Sequence, residues 1–267
     1  MRRRDGFTLL ELLIVVATVG ILLATLLPAL RGARQAARSA ECSANLRQLQ
    51  VANDLYAQDH AERYMPAASE FAARNLRRWH GTRSIASAAF EARGAPVTPY
   101  LDGEGLSRAV RACPEFMPTL KRLSNEGAGF EAACGGYGYN AAFVGAERRA
   151  FTPGVWTLVS DVVGSRRAQF AAPAGTVGFA DTAFAGAGLI EYSFVEPPFW
   201  PDFPGARPDP SVHFRHSGRA GVVWLDGHVD LRKMAYTQRS GFYPLEPGPL
   251  GIGWFGDVDS LSDFDYQ

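Results

Sequence analysis

Cysteine is scarce: three in 267 residues are too few for a disulfide framework, and Cys42, Cys113 and Cys134 are too widely spaced for a zinc knuckle. Neither sign of charge dominates. Lys and Arg number 27, as do Asp and Glu, so the chain as a whole has no electrostatic footprint for nucleic acid and none for an anionic membrane surface. Gly-x-Ser-x-Gly, His-Glu-x-x-His and Gly-Lys-Ser/Thr are absent, and with them the common signatures of serine hydrolases, zinc peptidases and phosphate loops. The run Gly135-Gly136-Tyr137-Gly138-Tyr139 has glycines but no lysine, and it reads as a turn. There is no internal repeat and no low-complexity segment. Long hydrophobic runs are also missing, except at one place.

That place is residues 7–30, 24 residues with a single charge, Glu11. As a helix the run is roughly 36 Å long, enough for a hydrocarbon core of about 30 Å. Arg2, Arg3 and Arg4 precede it; kept in the cytoplasm, they put everything after Leu30 on the far side. A secretory signal peptide has a shorter apolar stretch and a small-residue cleavage site. A plain signal anchor fits the length. Neither accounts for Glu11, because a carboxylate near the middle of a spanning helix is costly unless something pairs with it.

Gly6-Phe7-Thr8-Leu9-Leu10-Glu11 resembles the cleavage and methylation motif of type IV prepilins and type II secretion pseudopilins. The resemblance implies a cut between Gly6 and Phe7 by a prepilin peptidase, N-methylation of Phe7, and a docking role for Glu11 against the amine of a neighbouring subunit. Gly20 and Pro28 also stand where such proteins carry glycine and proline, and Pro28 is expected to kink or melt the helix. The implied fold is α+β and pilin-like, a long helix on an antiparallel sheet. The implied partners are the peptidase, other pilin or pseudopilin subunits, an inner-membrane assembly platform and the lipid bilayer, with no nucleic acid. The implied location is the inner membrane, single-pass, N-terminus cytoplasmic and head periplasmic.

The chain divides into a leader (1–6), a membrane helix (7–30), a spine helix (31–65) and a head (66–267). Residues 31–60 lack proline and are rich in good helix formers, and Cys42, Leu46, Leu49, Ala52 and Tyr56 form one apolar stripe. Short helices are expected at 69–79 and 84–92, with Arg74, Arg77, Arg78 and Arg83 on a solvated face. Strands are expected at 156–160, 176–180, 189–195 and 211–215. Residues 221–232 read as a two-residue hairpin turning at Asp226-Gly227. In that register Trp224 opposes Val229 and Val222 opposes Leu231, and these four pack on the spine.

His216, nine residues and then Asp226-Gly227, together with residues 42–49 and Cys113-Pro114, resemble a group of prepilin-like proteins of planctomycete-type bacteria. His213, His216, Asp226, His228 and Asp230 could supply metal ligands, though turn chemistry and a structural histidine explain them more simply. Asp257, Asp259 and Asp263 lie in an acidic C-terminal cluster. Major pseudopilins bind calcium near that end, so calcium is the one cofactor raised; the other reading is a solvated tail. Beyond the membrane disulfides form freely. The short Gly-rich segment between Cys113 and Cys134 favours pairing these two, with Cys42–Cys113 as the alternative. Residues 197–210 hold six prolines around Phe199, Trp200 and Phe203, a stiff loop that packs on its own sheet or contacts a neighbour.

Three functions follow for testing below: a structural filament subunit, which is not an enzyme; a membrane-tethered metal-dependent enzyme or binding module; and a minor pilin that binds a ligand at a filament tip.

Overall fold

The computed structural model describes residues 8–101, 112–116, 118, 131, 133–152, 155–186, 188–200, 202, 207–239, 245–257 and 259–266. The leader, Gly6 and Phe7 lie outside them, as does Phe203. One helix, α1 (Leu9–Asp59, 51 residues), dominates, roughly 76 Å at the usual rise. It starts at a capping box. The Thr8 hydroxyl accepts from the Glu11 amide at 3.2 Å, and Glu11 Oε2 accepts from the Thr8 amide at 2.9 Å. Pro28 lies inside the continuous helix, so the expected local melting is absent.

The helix stops six residues before the expected end at 65. Ala61 and Glu62 adopt left-handed φ of 55° and 58°, and the amides of His60 and Glu62 both return to the Ala57 carbonyl. That closes the last turn without a proline.

The two halves of α1 meet different surroundings. Residues 9–30 are exposed throughout. Cys42, Leu46, Leu49, Ala52 and Ala57 are buried, along with the polar Asn45, Gln50 and Asn53; Tyr56 is half-buried. An apolar stripe at helical spacing thus becomes the seam against the head, as the sequence predicts.

Twelve short strands follow among the described residues: β1 (Arg77–Arg78), β2 (Gly81–Thr82), β3 (Tyr137–Tyr139), β4 (Glu147–Thr152), β5 (Val155–Ser160), β6 (Val177–Asp181), β7 (Phe184–Ala185), β8 (Leu189–Ile190), β9 (Val212–His213), β10 (Arg219–Trp224), β11 (Val229–Lys233) and β12 (Ile252–Gly253). The central sheet runs β11-β10-β6-β3, antiparallel throughout, and α1 lies against it. The rest form two-stranded pairs.

Three expectations need correction. The segments 69–79 and 84–92 are turns and the β1–β2 pair rather than helices. The solvated arginine face holds for Arg74 and Arg77, which are exposed, and fails for Arg78 and Arg83, which are buried. The β10–β11 register, finally, is shifted by one residue: Val223 opposes Val229 and Val222 opposes Asp230. Gly227, at φ +88°, donates to the Trp224 carbonyl, and the Trp224 amide pairs with the His228 carbonyl. The loop is therefore three residues long and closed by a left-handed glycine, the next most common hairpin. One residue of slip turns the strand over. Leu231 is exposed, while Trp224 donates its indole N–H to Asp230 at 3.2 Å.

Polar bonds as well as apolar contact join the helix to the sheet. Asn45 donates to the Tyr137 hydroxyl at 3.3 Å. The Tyr139 hydroxyl donates to Asn53 Oδ1 at 3.2 Å, and its ring stacks on Phe179 at 4.5 Å. Gln50 donates to the Leu225 carbonyl at 3.4 Å.

Candidate functional site

The N-terminal element comes first. Glu11 does not sit near the middle of the apolar helix, as expected, but in its first turn. It also has a partner within its own chain, Thr8, whose hydroxyl donates to Oε2 at 2.7 Å. A Cβ built on Gly20 meets nothing within 4 Å, so nothing in the described chain demands glycine there. Among the described residues, one helix is long and apolar enough to cross a membrane, judged by length and composition.

The second element is the surroundings of His216. The turn His216-Ser217-Gly218-Arg219 has φ of 53° and 78° at its two central residues, a tight hairpin geometry. The His216 amide donates to the Arg219 carbonyl at 2.8 Å and the Arg219 amide returns to His216 at 3.1 Å. This holds the imidazole inside the head, where Nε2 lies 2.9 Å from Asp181 Oδ2. The same carboxylate accepts the Gly221 amide at 2.7 Å, and Arg215 Nε approaches its other oxygen at 3.7 Å. Burial pushes the Asp181 carboxyl up, but Arg215, His216 and the Gly221 amide outweigh it, so the group is held below the usual carboxylate range. Arg215 donates to the carbonyls of Gly136 at 2.7 Å and Thr182 at 2.8 Å, and it lies over the Phe116 ring at 4.4 Å.

The cysteine pairing differs from expectation. Cys42 on α1 is bonded to Cys113, with Cα atoms 5.2 Å apart, and Cys134 is a buried free thiol. The short Cys113–Cys134 segment was the wrong guide, because the buried stripe of α1 brings Cys42 beside Cys113. Cys42, Cys113 and His216 are the three His, Cys, Asp or Glu side chains that the described residues bring within 4.8 Å of one another. His216 Nε2 is 4.0 Å from Cys113 Sγ. One ring nitrogen therefore faces both the sulfur and the carboxylate, whereas a nucleophile–histidine–carboxylate relay divides these roles between the two nitrogens.

The remaining candidates are dispersed. His213 is buried edge-on to Phe116, and burial with Arg215 nearby pushes its imidazole down to about 3, so it is neutral. Asp226 accepts the His228 amide at 3.0 Å and pairs with its Nδ1 at 2.6 Å, within the exposed turn. The His216 and Asp226-Gly227 parts of the signature thus sit at opposite ends of β10, roughly 20 Å apart along a six-residue strand. Asp257 accepts the Asp259 amide at 3.1 Å and Asp259 pairs with Arg207 at 2.9 Å. Burial pushes Asp263 up. These three carboxylates do not converge as a ligand set.

Sequence reasoning missed a second buried polar network. Arg78 pairs with Glu131 at 2.9 Å, both within 1% of full burial. Its guanidinium lies 4.9 to 5.3 Å from the rings of Phe71, Phe90 and Phe194. Glu131 also accepts from the Ser193 hydroxyl, which lies 2.8 Å from His80 Nε2. The counter-ion is 53 residues from Arg78, so no local pattern could have revealed it. Glu196 was missed too. It is buried beside the Tyr192 hydroxyl at 2.5 Å, and burial pushes its carboxyl up to about 7.

A model of the prokaryotic N-terminal methylation motif matches residues 1–27. No characterised protein and no solved structure matches the chain. The matched stretch spans the leader, the Gly6–Phe7 junction, Glu11 and Gly20. It supports a prepilin-type protein processed by a peptidase, and the apolar helix that follows fits a single-pass membrane anchor.

Proposed function

We propose that this chain is a structural filament subunit of the type IV pilin or type II secretion pseudopilin kind, cut between Gly6 and Phe7 and N-methylated at Phe7. The observation that carries the reading is the methylation motif at residues 1–27, continuous with a helix whose first half is exposed and apolar and whose second half is the spine of a folded head. Lateral packing in a filament gives the exposed half a use, and a bare Gly20 lets a neighbouring helix approach closely. Cleavage frees the Phe7 amine next to Thr8 and Glu11, so a carboxylate satisfied by its own cap in the precursor gains a cationic partner from another subunit.

Charge does not orient the chain, because Arg31, Arg34 and Arg38 follow the apolar run as Arg2, Arg3 and Arg4 precede it. The Cys42–Cys113 bond favours a head in an oxidising compartment beyond the inner membrane. Intact-mass measurement of the membrane-extracted protein is the test. The expected chain starts at Phe7 with one added methyl group; a chain keeping residues 1–6 in cells with active prepilin peptidase would sink the reading.

A further inference from the structure

The chain is neutral overall, but its cations are not evenly spread. Arg31, Arg34 and Arg38 follow directly on the apolar run, are exposed, and make no ion pair with a described residue. At about 100° per residue they fall within roughly 60° of the helix circumference. Arg31 and Arg38 lie within about 40° of Cys42, so the arginine stripe is on the side that meets the head further along.

The head overhangs that side. Gln35 donates to the Ser217 hydroxyl at 3.1 Å, which puts the tip of the His216–Arg219 turn level with a residue roughly 8 Å beyond Leu30. Arg219 is exposed at this end of β10, and the β10–β11 register sets it opposite Lys233, also exposed. Three helix arginines, Arg219 and Lys233 therefore border the wedge between the anchor, the underside of the head and the plane where the apolar run ends.

We propose that this wedge binds the headgroup phosphates of anionic phospholipid in the leaflet that faces the head. The inference rests on the reading of residues 9–30 as a membrane span. The occupant follows from position and charge. A bilayer spanned by residues 9–30 ends at this level, and its phosphates are the anions nearest the five cations. Guanidinium groups bind phosphate oxygens in paired geometry. Arginines on the translocated flank oppose the usual distribution of charge around a span, and bound lipid compensates for them.

The test uses the full chain, purified in micelles containing equal parts phosphatidylcholine and phosphatidylglycerol, with retained lipid quantified by mass spectrometry. Each cation at an anionic surface is worth about fivefold in affinity. The expected result is phosphatidylglycerol enriched roughly tenfold or more, falling most of the way to the input ratio in R31Q/R34Q/R38Q and less far in R219Q/K233Q. An unchanged input ratio in the wild type, or full enrichment in the triple variant, overturns the proposal. So does a triple variant that loses self-association on cross-linking with no change in lipid, since the cations would then face a second copy. Peptide mapping of the Cys42–Cys113 bond confirms folding of each variant. Partition of the wild type into pure phosphatidylcholine vesicles tests the anchor separately; failure there condemns the span rather than the lipid site.

Discussion

Arg78 is charged, lies in a run of arginines and would be placed on a solvated face by any local rule, yet it is buried against Glu131 and three phenylalanine rings. An ion pair taken out of water gains little over an apolar pair, but removing one partner strands the other charge. Glu131→Gln should therefore cost about 3–5 kcal/mol of stability, read as a lower denaturation midpoint with unchanged slope. Loss below about 1 kcal/mol would mean that water reaches the pair. Glu196 carries a pH dependence of known sign. Its carboxyl titrates near 4.5 when free and at about 7 in the fold, so the folded state holds its proton longer. The contribution is fully present below pH 4.5 and is lost as pH rises through 7. Glu196→Gln keeps the Tyr192 contact and cannot ionise. Its melting temperature, relative to wild type, should rise between pH 5 and pH 8, and parallel curves would refute the assignment.

At the scale of elements, α1 was legible because its two halves are written in different alphabets. The first is continuous apolar residues and the second an apolar stripe at helical spacing; the Thr8–Glu11 capping box that starts the helix at Leu9 was not read. Its end was not legible, because it is made by left-handed Ala61 and Glu62, residues with no breaker character. The β10–β11 hairpin was legible as a hairpin, but Asp-Gly fits both a two-residue turn and a three-residue loop, and the tertiary context chose the latter. The region around 69–92 was misread because its aromatics and buried arginines answer to strands and carboxylates far along the chain. Of the candidate sites, the N-terminal motif is contiguous in sequence and was legible as a motif, although the Thr8–Glu11 contacts within it were not. The side-chain partners of His216 come from residues 113 and 181, beyond any spacing rule.

The Cys42–Cys113 bond is the covalent link between α1 and the head, closing a sequence separation of 71 residues. Loop-closure entropy puts its contribution at about 4 kcal/mol. Reduction under native conditions should lower the head's melting temperature, and the double variant C42S/C113S should match reduced wild type. Equal melting with and without reductant would show that non-covalent contacts alone hold the seam.

At the scale of the whole molecule, residues 9–30 contribute nothing buried to their own chain, while residues 42–57 are part of the head's core. The two ends of one helix therefore answer to different selection: the first to neighbouring molecules and lipid, the second to its own sheet. Glu11 lies 31 residues before Cys42, roughly 46 Å along the axis, several Debye lengths at physiological salt. Glu11→Ala removes the capping partner of Thr8, so the first turn should fray. The seam at Cys42 is too distant to sense it. Insertion should be no worse, since a charged side chain leaves the apolar helix. Filament assembly should fail, because lipid tails are as apolar as leucine and apolar packing alone sets no register between helices. The measurements are membrane fractionation, peptide mapping of Cys42–Cys113 and electron microscopy of sheared filaments, in cells expressing the variant at wild-type level. Insertion and the disulfide should be unchanged while filaments disappear. Normal filaments at normal abundance would show that Glu11 serves only its own helix cap, and that subunits find their stagger through the heads.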